Sequence, residues 1–362
     1  MTARERLLAV YRKQPVEGVP VGIYSRYLPR GWAEREVRNA GLAIIDYRPV
    51  VSMLAPPWHL QPGYLSEVKG AELEVRFGWH EGQRVEARTY HTPVGSVSQQ
   101  SKKDPYGSDW ISKYYIERPE DYRVVQYLVE HTVFRRNDDA LEAARADLGE
   151  DGVVLGRVDR SPFQKILIEL AGPERFLLDL SSEPEPVLEL LEALDRRMDE
   201  VFRLILDSKA EVVWQPDNIT SAMTPPKWFG RYCVPFYQKH GAECRQAGKP
   251  YLVHMDGRVR ALREMIAGCA IDAVESLSSP DIGGDLSFAE ARAAWPGKLV
   301  LPNFPASRCY GSKTEIEQLL DELVAAAGQG FPFMLQFSED IPHSEWQRVV
   351  PLVCAHMNSR SR

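Results

Sequence analysis

The feature that most constrains the fold of this chain is an alternation of short apolar runs with helical patterns. Each run ends in polar residues, and helical segments such as "KTEIEQLLDELVAAAGQG" separate the runs at roughly 25 to 45 residues per unit, which predicts βαβ units and a parallel sheet. Two runs lie near the amino end and six lie from residue 153 onward. They are "VPVGIYS", "GLAIIDYRPV", "VVLGRVDRS" (153–161), "EVVWQPDN" (211–218), "YLVHMDG" (251–257), "DAVESLSSP" (272–280), "KLVLPNFP" (298–305) and "FMLQFSED" (333–340). Eight such strands predict an α/β fold, a (β/α)₈ TIM barrel.

The length is compatible with one large barrel. The chain has 362 residues, and such barrels routinely run past about 250 residues as one domain. We therefore predict a single barrel domain over 1–362. Residues 51–110 are rich in Pro, Gly and aromatics and contain strand-like pieces such as "ELEVRFGW", which predicts an insertion of β-hairpins and loops in this region.

Composition excludes several classes of function. The formal net charge is −7 and the basic residues are scattered, which argues against a nucleic-acid partner. No apolar run reaches the length of a membrane span, and the charged start "MTARERLLAVYRKQPVEG" lacks the apolar core of a signal peptide. The five cysteines form no CxxC pair, so we expect a reduced, cytoplasmic protein that does not engage membranes.

The barrel predicts where a site would lie, because active sites of this fold sit at the carboxyl ends of the strands. His254 and Asp256 stand two residues apart at such an end, and side chains with that spacing on a strand point to the same side. Glu275 and Glu339 end two other predicted strands. The competing interpretation is that loops are polar after any buried strand.

Several segments resemble the uroporphyrinogen decarboxylase superfamily and its methyltransferase-like members. They are "RERLLAVYRKQPVEGVPV", "RYLP", "TYHTPVGSV", "YIERPEDYRVVQYLV", "ITSAMTPPKWFGRYCVPFYQKHGAECRQAGKPYLVHMDG" and "IDAVESLSSPDIGGDLSFAEARAAWPGKLVLPNFP". The resemblance runs over nearly the whole chain and implies a distorted barrel with its site at the carboxyl mouth. It also implies one of two chemistries: metal-free decarboxylation of a tetrapyrrole, or zinc-dependent methyl transfer between a corrinoid and a thiol.

The sequence matches the motifs of neither the decarboxylases nor the methyltransferases in full. The decarboxylases grip substrate carboxylates with a pair of arginines; in "GIYSRYLPRGW" the second has a counterpart, Arg26, and the first is missing. The methyltransferases hold zinc with a His-x-Cys-Gly segment and a cysteine after the last strand. On that resemblance the ligands here are His254, Asp256 and Glu339, with both thiolates replaced by carboxylates. Carboxylates make the site harder, so Mn²⁺ or Fe²⁺ are alternatives to zinc.

Two carboxylates are candidates for catalytic roles. We expect Glu275 to act as acid, base or partner of His254, with a plain salt bridge to an arginine as the alternative. Asp217 is the other catalytic candidate, although capping of the next helix competes with that role. Asp256 itself could cap a helix, with His254 as a buried barrel histidine.

Polar residues at other strand ends are candidates for substrate binding. Arg26 and Arg157 could meet a substrate anion, although Arg157 could also pair with Asp159. Asn218 and Asn303 could position a polar substrate.

The leading functional prediction is a metal-assisted group transfer, most directly of a methyl group, to a small acceptor. The corrinoid would be carried by a separate partner protein, because nothing in the chain resembles a cobalamin-binding domain. The alternative is a metal-free decarboxylase acting on a carboxylated small molecule. A binding or scaffold protein without chemistry is the third hypothesis, and an oligomer is left open.

Overall fold

The computed structural model describes residues 1–51, 67–103, 109–182, 184–328 and 332–360. Part of the predicted insertion, residues 52–66 and 104–108, lies outside the described residues. The strands are β1 (Val21–Tyr24), β2 (Leu42–Pro49), β3 (Glu67–Val68), β4 (Glu72–His80), β5 (Gln83–Thr92), β6 (Gly95–Lys103), β7 (Asp109–Lys113), β8 (Thr132–Val133), β9 (Gly152–Arg157), β10 (Val213–Gln215), β11 (Tyr251–His254), β12 (Ala273–Leu277), β13 (Leu299–Pro302) and β14 (Leu335–Phe337).

Helical segments lie before, between and after the strands. They are α1 (Ala3–Tyr11), α2 (Trp32–Asn39), α3 (Pro119–His131), α4 (Asp138–Leu148), α5 (Pro162–Lys165), α6 (Pro173–Ser182), α7 (Pro184–Leu206), α8 (Pro226–Trp228), α9 (Val234–Gln246), α10 (Arg263–Gly268), α11 (Phe288–Ala294), α12 (Lys313–Ala327) and α13 (Trp346–Asn358). Two π-helical turns, Ile166–Leu170 and Phe229–Cys233, follow α5 and α8 directly. No helix among the described residues is both long enough and apolar enough to cross a membrane.

The chain divides into two compact units, of which the first contains residues 1–48, 138–157 and 209–362. This unit holds an eight-stranded sheet of order β13-β12-β11-β10-β9-β2-β1-β14. A parallel bridge between Asn303 and Gln336 joins the two end strands and closes the sheet into a barrel. The eight strands are the eight apolar runs of the sequence, and the predicted TIM barrel is confirmed.

Alternating residues of these strands fill the barrel interior. The apolar core is formed by residues two apart on successive strands, among them Ala43, Ile45, Val153, Leu155, Val212, Trp214, Leu252, Ala273, Leu299, Leu301 and Met334. Because side chains on one side of a strand recur with period two, the residues that follow Leu252 and Ala273 by two positions also point inward. Those residues are His254 and Glu275. The alternation of side chains along β11 and β12 therefore directs both of them into the mouth of the barrel.

Gly152 allows β9 to begin directly beside β2. A Cβ atom at this position would lie 1.9 Å from the backbone oxygen of Ile44. Since the obstacle is backbone of a neighbouring barrel strand, a side chain here could not be accommodated by a rotamer change.

The second unit contains residues 49–137 and 158–208. Its main sheet is antiparallel with the order β4-β5-β6-β7, and α3 packs against β6. A buried ion network lies in the same unit: Lys165 bonds Asp159 at 3.0 Å and Glu169 at 2.5 Å, and Arg160 bonds Glu169 at 2.8 Å. Both segments are inserted in sequence between barrel strands, and the single domain over 1–362 stays a prediction.

Candidate functional site

Glu275 is the centre of a hydrogen-bonded cluster inside the mouth of the barrel. The residue is fully buried at the middle of β12. Its Oε1 accepts a hydrogen bond from the Tyr24 hydroxyl at 2.6 Å, and its Oε2 accepts one from Trp214 Nε1 at 2.9 Å. His254 Nδ1 lies 2.7 Å from the same Oε2. The carboxylate is therefore surrounded by three donors, which is how a buried charge is kept stable.

His254 lies between two carboxylates. Its Nδ1 contacts Glu275, and its Nε2 lies 3.4 Å from Asp256 Oδ2. Burial lowers the pKa of His254, but the charges of Asp256 and Glu275 outweigh it and raise the pKa to about 10. For Asp256 the two effects have opposite signs: burial raises its pKa, whereas the nearby His254 and the hydrogen bond from Asn218 outweigh burial and lower the pKa to about 2. The predicted convergence of His254 and Asp256 is thus present in the structure.

Two residues next to this cluster have a left-handed backbone. Asn218 has φ of 50° and donates from Nδ2 to Asp256 Oδ2 at 2.8 Å. Ser276 has φ of 62° at a register shift of β12 between Glu275 and Leu277. Such conformations are uncommon for residues other than glycine and concentrate at functional sites. In this conformation the side chain of Asn218 reaches Asp256 and holds its carboxylate.

An aromatic wall surrounds the cluster. Tyr47 stacks on Trp214 with ring centroids 4.8 Å apart, and Tyr24 packs edge-on against Tyr47 at 5.6 Å. Burial, reinforced by Glu275, raises the pKa of Tyr24 well above its usual value, so its hydroxyl stays protonated and donates to that carboxylate. Sequence reasoning did not select Tyr24, Tyr47 or Trp214. The period of two along β1, β2 and β10 was the signal that could have found them.

Asp217 lies in a separate buried network. It accepts a hydrogen bond from the Tyr237 hydroxyl of α9 at 2.5 Å and from Gln215 Nε2 at 3.3 Å. Asp217 is fully buried. These contacts fix the loop that presents Asn218 to Asp256; the catalytic role of Asp217 stays a prediction.

The remaining predicted residues occupy different positions in the barrel. Arg26 stacks over the Tyr27 ring at 4.7 Å and interacts electrostatically with Tyr47, whereas Arg157 is buried at the end of β9. Asn303 accepts a hydrogen bond from the Ser338 backbone at 3.0 Å, so its side chain stabilises the contact between the end strands β13 and β14. Substrate binding by Arg26, Arg157, Asn218 and Asn303 stays a prediction.

The predicted metal ligands are brought together only in part. His254 Nε2 and Asp256 Oδ2, 3.4 Å apart, have the spacing of neighbouring ligands that each lie about 2.0 to 2.2 Å from one ion. Glu339 instead accepts a hydrogen bond from the Ala306 backbone at 2.9 Å. Across residues 1–51, 67–103, 109–182, 184–328 and 332–360, no three His, Cys, Asp or Glu side chains are grouped so as to hold a metal ion. Two of the three donors fit a cation, and the three-ligand site stays a prediction.

Comparison with known families matches this chain to one of them. The family described as Uroporphyrinogen decarboxylase (URO-D) matches residues 114–344, more than half of the chain. A search of curated proteins finds no match.

Comparison with solved structures finds matches at low sequence identity. A methyltransferase from Methanosarcina mazei aligns with a TM-score of 0.58 and 13% identity, covering 98% of this chain and 98% of that one. A chitinase from Chromobacterium violaceum ATCC 12472 aligns with a TM-score of 0.41 and 9% identity, covering 94% of this chain and 100% of that one. At these identities the likeness to the methyltransferase shows the fold alone.

Proposed function

The chain belongs to the uroporphyrinogen decarboxylase family, and from this membership we propose an enzyme that transfers a methyl group at the barrel mouth with the help of a divalent cation. The observation that carries the proposal is the relation of His254 to its two carboxylates. Nδ1 is held by Glu275 at 2.7 Å, and Nε2 faces Asp256 Oδ2 at 3.4 Å.

The charge of the cluster supports a cationic ligand. Two carboxylates, those of Asp256 and Glu275, flank the single imidazole of His254, so the cluster attracts positive charge. A bound cation would take the place of the proton on His254 Nε2. The side chain of Asp256 is 37% exposed, whereas that of Glu275 is fully buried. A cation from solvent would therefore approach on the Asp256 side.

Each side chain has a definite task in this proposal. His254 and Asp256 would hold the cation, and Glu275 would orient the imidazole from behind, as carboxylates do for metal-bound histidines. Tyr24 and Trp214 fix the Glu275 carboxylate, and Asn218 fixes Asp256. When bound, a divalent cation polarises a substrate oxygen or lowers the pKa of a thiol.

The donor set and the resemblance support a choice of cation and of partner. One nitrogen and carboxylate oxygens suit zinc, with Mn²⁺ or Fe²⁺ as harder alternatives. Glu339 is the proposed third donor and would have to leave the Ala306 backbone to reach the site. The methyl group would pass between a small molecule and a corrinoid on a separate protein, as in the methyltransferases that the sequence resembles.

Cation binding tests the site directly. Protein freed of metal by a chelator is titrated calorimetrically with Zn²⁺, Mn²⁺ and Fe²⁺, the last under anaerobic conditions. We expect one equivalent of one ion to bind, and we expect His254→Asn and Asp256→Asn to weaken its affinity at least tenfold. His91→Asn is the matched control, because His91 is an exposed histidine of the other unit and should leave affinity unchanged.

Methyl transfer is tested with methylcobalamin and a panel of small thiols, followed by the change in the cobalamin spectrum. Demethylation that depends on the added cation and on Asp256 supports the proposal. Unaltered methylcobalamin together with no bound cation would overturn it.

Metal-free decarboxylation of a carboxylated substrate is the second candidate, and Arg26 is the observation in its favour. The Arg26 guanidinium interacts electrostatically with Tyr47, whose ring stacks on Trp214 of the cluster. It is therefore a cation next to the cluster that a substrate carboxylate could reach. Release of CO₂ from uroporphyrinogen or a smaller acid, unaffected by chelators and lost in Arg26→Gln, would favour this candidate over methyl transfer.

A further inference from the structure

The outer edge of β4 is an exposed strand with an unusual surface. Among the residues that the structure describes, β4 pairs with β5 on one side and with no strand on the other. Its apolar side chains become more exposed along the strand: Val75 is 37% exposed, Phe77 59% and Trp79 78%. Long apolar edge strands are templates for pairing with another chain, and proteins normally protect them with charges, prolines or bulges.

We propose that β4 pairs in antiparallel orientation with β4 of a second copy of this chain, forming a dimer with one continuous sheet. The proposal is independent of the chemistry at the barrel mouth, since β4 belongs to the second unit. The occupant is a second copy because the strand is complementary to itself.

The complementarity lies in the five residues "LEVRF" (73–77), which read apolar, acidic, apolar, basic, apolar. When two such strands pair antiparallel about Val75, each Glu74 stands opposite Arg76 of the second copy. Each Leu73 stands opposite Phe77 of the second copy, and the two Val75 residues face each other. Directly opposite residues share a face of the sheet, so both faces match at once.

Neighbouring registers are less favourable. A register centred on Glu74 places two carboxylates opposite each other, and one centred on Arg76 places two guanidinium groups opposite each other. A register centred on Phe77 sets Arg76 against Gly78 and forms no acid–base pair with Arg76. Opposite charges across strands are stabilising and like charges are destabilising, so the Val75 register is selected.

The side chains of Glu74 and Arg76 can exchange their present contact for one with the second copy. Arg76 bonds Glu74 of its own strand at 2.7 Å, but the side chains are 75% and 39% exposed. Exposed ion pairs of this kind contribute little to stability. Replacing that contact with one across the dimer therefore costs little free energy.

Charge exchange tests the pairing in the full-length protein. Analytical ultracentrifugation should show dimers in the wild type, and Glu74→Arg and Arg76→Glu should each weaken self-association roughly tenfold, because every charged pair becomes a like-charge pair. A mixture of the two variants should form heterodimers as tightly as the wild type. A folding defect cannot produce that rescue. A monomeric wild type, or a mixture that stays monomeric, overturns the proposal.

Disulfide trapping tests the register. Two Val75→Cys residues would lie about 4.5 to 5.5 Å apart between Cα atoms, within the range of a disulfide. Two Phe77→Cys residues would lie about 14 Å apart, beyond that range. The wild-type cysteines Cys233, Cys244, Cys269, Cys309 and Cys354 are all buried and provide the background control. Oxidation should crosslink Val75→Cys alone; crosslinking of Phe77→Cys instead, or of neither variant, contradicts the proposed register.

Discussion

His254 Nδ1 lies 2.7 Å from the carboxylate of Glu275, a residue with no exposed surface. The two residues are partners in the register of β11 with β12. The contact fixes the ring of His254, so that its other nitrogen faces Asp256 at 3.4 Å. The cluster is therefore positioned by backbone pairing of two barrel strands, and its side chains depend on one buried carboxylate.

Glu275→Gln should damage both stability and the site. Glutamine keeps the shape but replaces one acceptor oxygen with a donor and removes the negative charge, so at least one of the three donors loses the oxygen to which it donates. We expect the free energy of unfolding, measured with urea, to fall by roughly 1 to 3 kcal/mol. Cation affinity should fall about 10- to 100-fold.

Glu264→Gln is the control for that change. The Glu264 side chain is 84% exposed, so its loss of charge should alter the free energy of unfolding by no more than about 0.5 kcal/mol. Equal stabilities of the two variants would mean that Glu275 does not hold the cluster.

Two substitutions at Asn218 distinguish the contribution of its hydrogen bond to stability from that of its backbone conformation. Asn218→Gly and Asn218→Ala both remove the donor to Asp256, but only glycine adopts the φ of 50° without strain. We expect Asn218→Ala to be less stable than Asn218→Gly by roughly 1 kcal/mol in urea unfolding. An alanine variant as stable as the glycine variant would show that the loop relaxes.

Gly152→Ala should destabilise the barrel because its Cβ would lie 1.9 Å from the Ile44 backbone oxygen. We expect a loss of roughly 2 to 4 kcal/mol in the free energy of unfolding. Gly268→Ala is the matched control, since nothing lies within 4 Å of a Cβ there. The expectation fails if thermal or urea unfolding gives similar stabilities for the two variants.

Gln336→Met should leave stability unchanged or raise it by about 1 kcal/mol. Both amide atoms of Gln336 are buried and have no hydrogen-bond partner among the residues that the structure describes, so the native residue bears a desolvation cost that methionine avoids. Gln99→Met is the contrast, because Gln99 Nε2 donates to the Glu169 backbone at 2.7 Å and its loss should cost about 1 kcal/mol. A clear loss of stability in Gln336→Met would reveal a partner for the amide.

The sequence by itself determined the barrel. Each of the eight strands is a short apolar run between amphipathic helices, a local pattern that needs no knowledge of the tertiary structure. It also predicted that His254 and Asp256 converge, and their side chains lie 3.4 Å apart, although β11 ends at His254 and Asp256 belongs to the loop that follows.

Only the tertiary structure decided which residues meet these two. Glu275 reaches His254 through the pairing of β11 with β12, and Tyr24 and Trp214 reach Glu275 from β1 and β10. Glu339 stands at a strand end, as predicted from the sequence, yet binds the Ala306 backbone. Contacts between distant segments depend on strand register and on the direction of each loop, which a local pattern does not encode. The sequence thus places each polar group at the rim, and the packing of the barrel selects its partner.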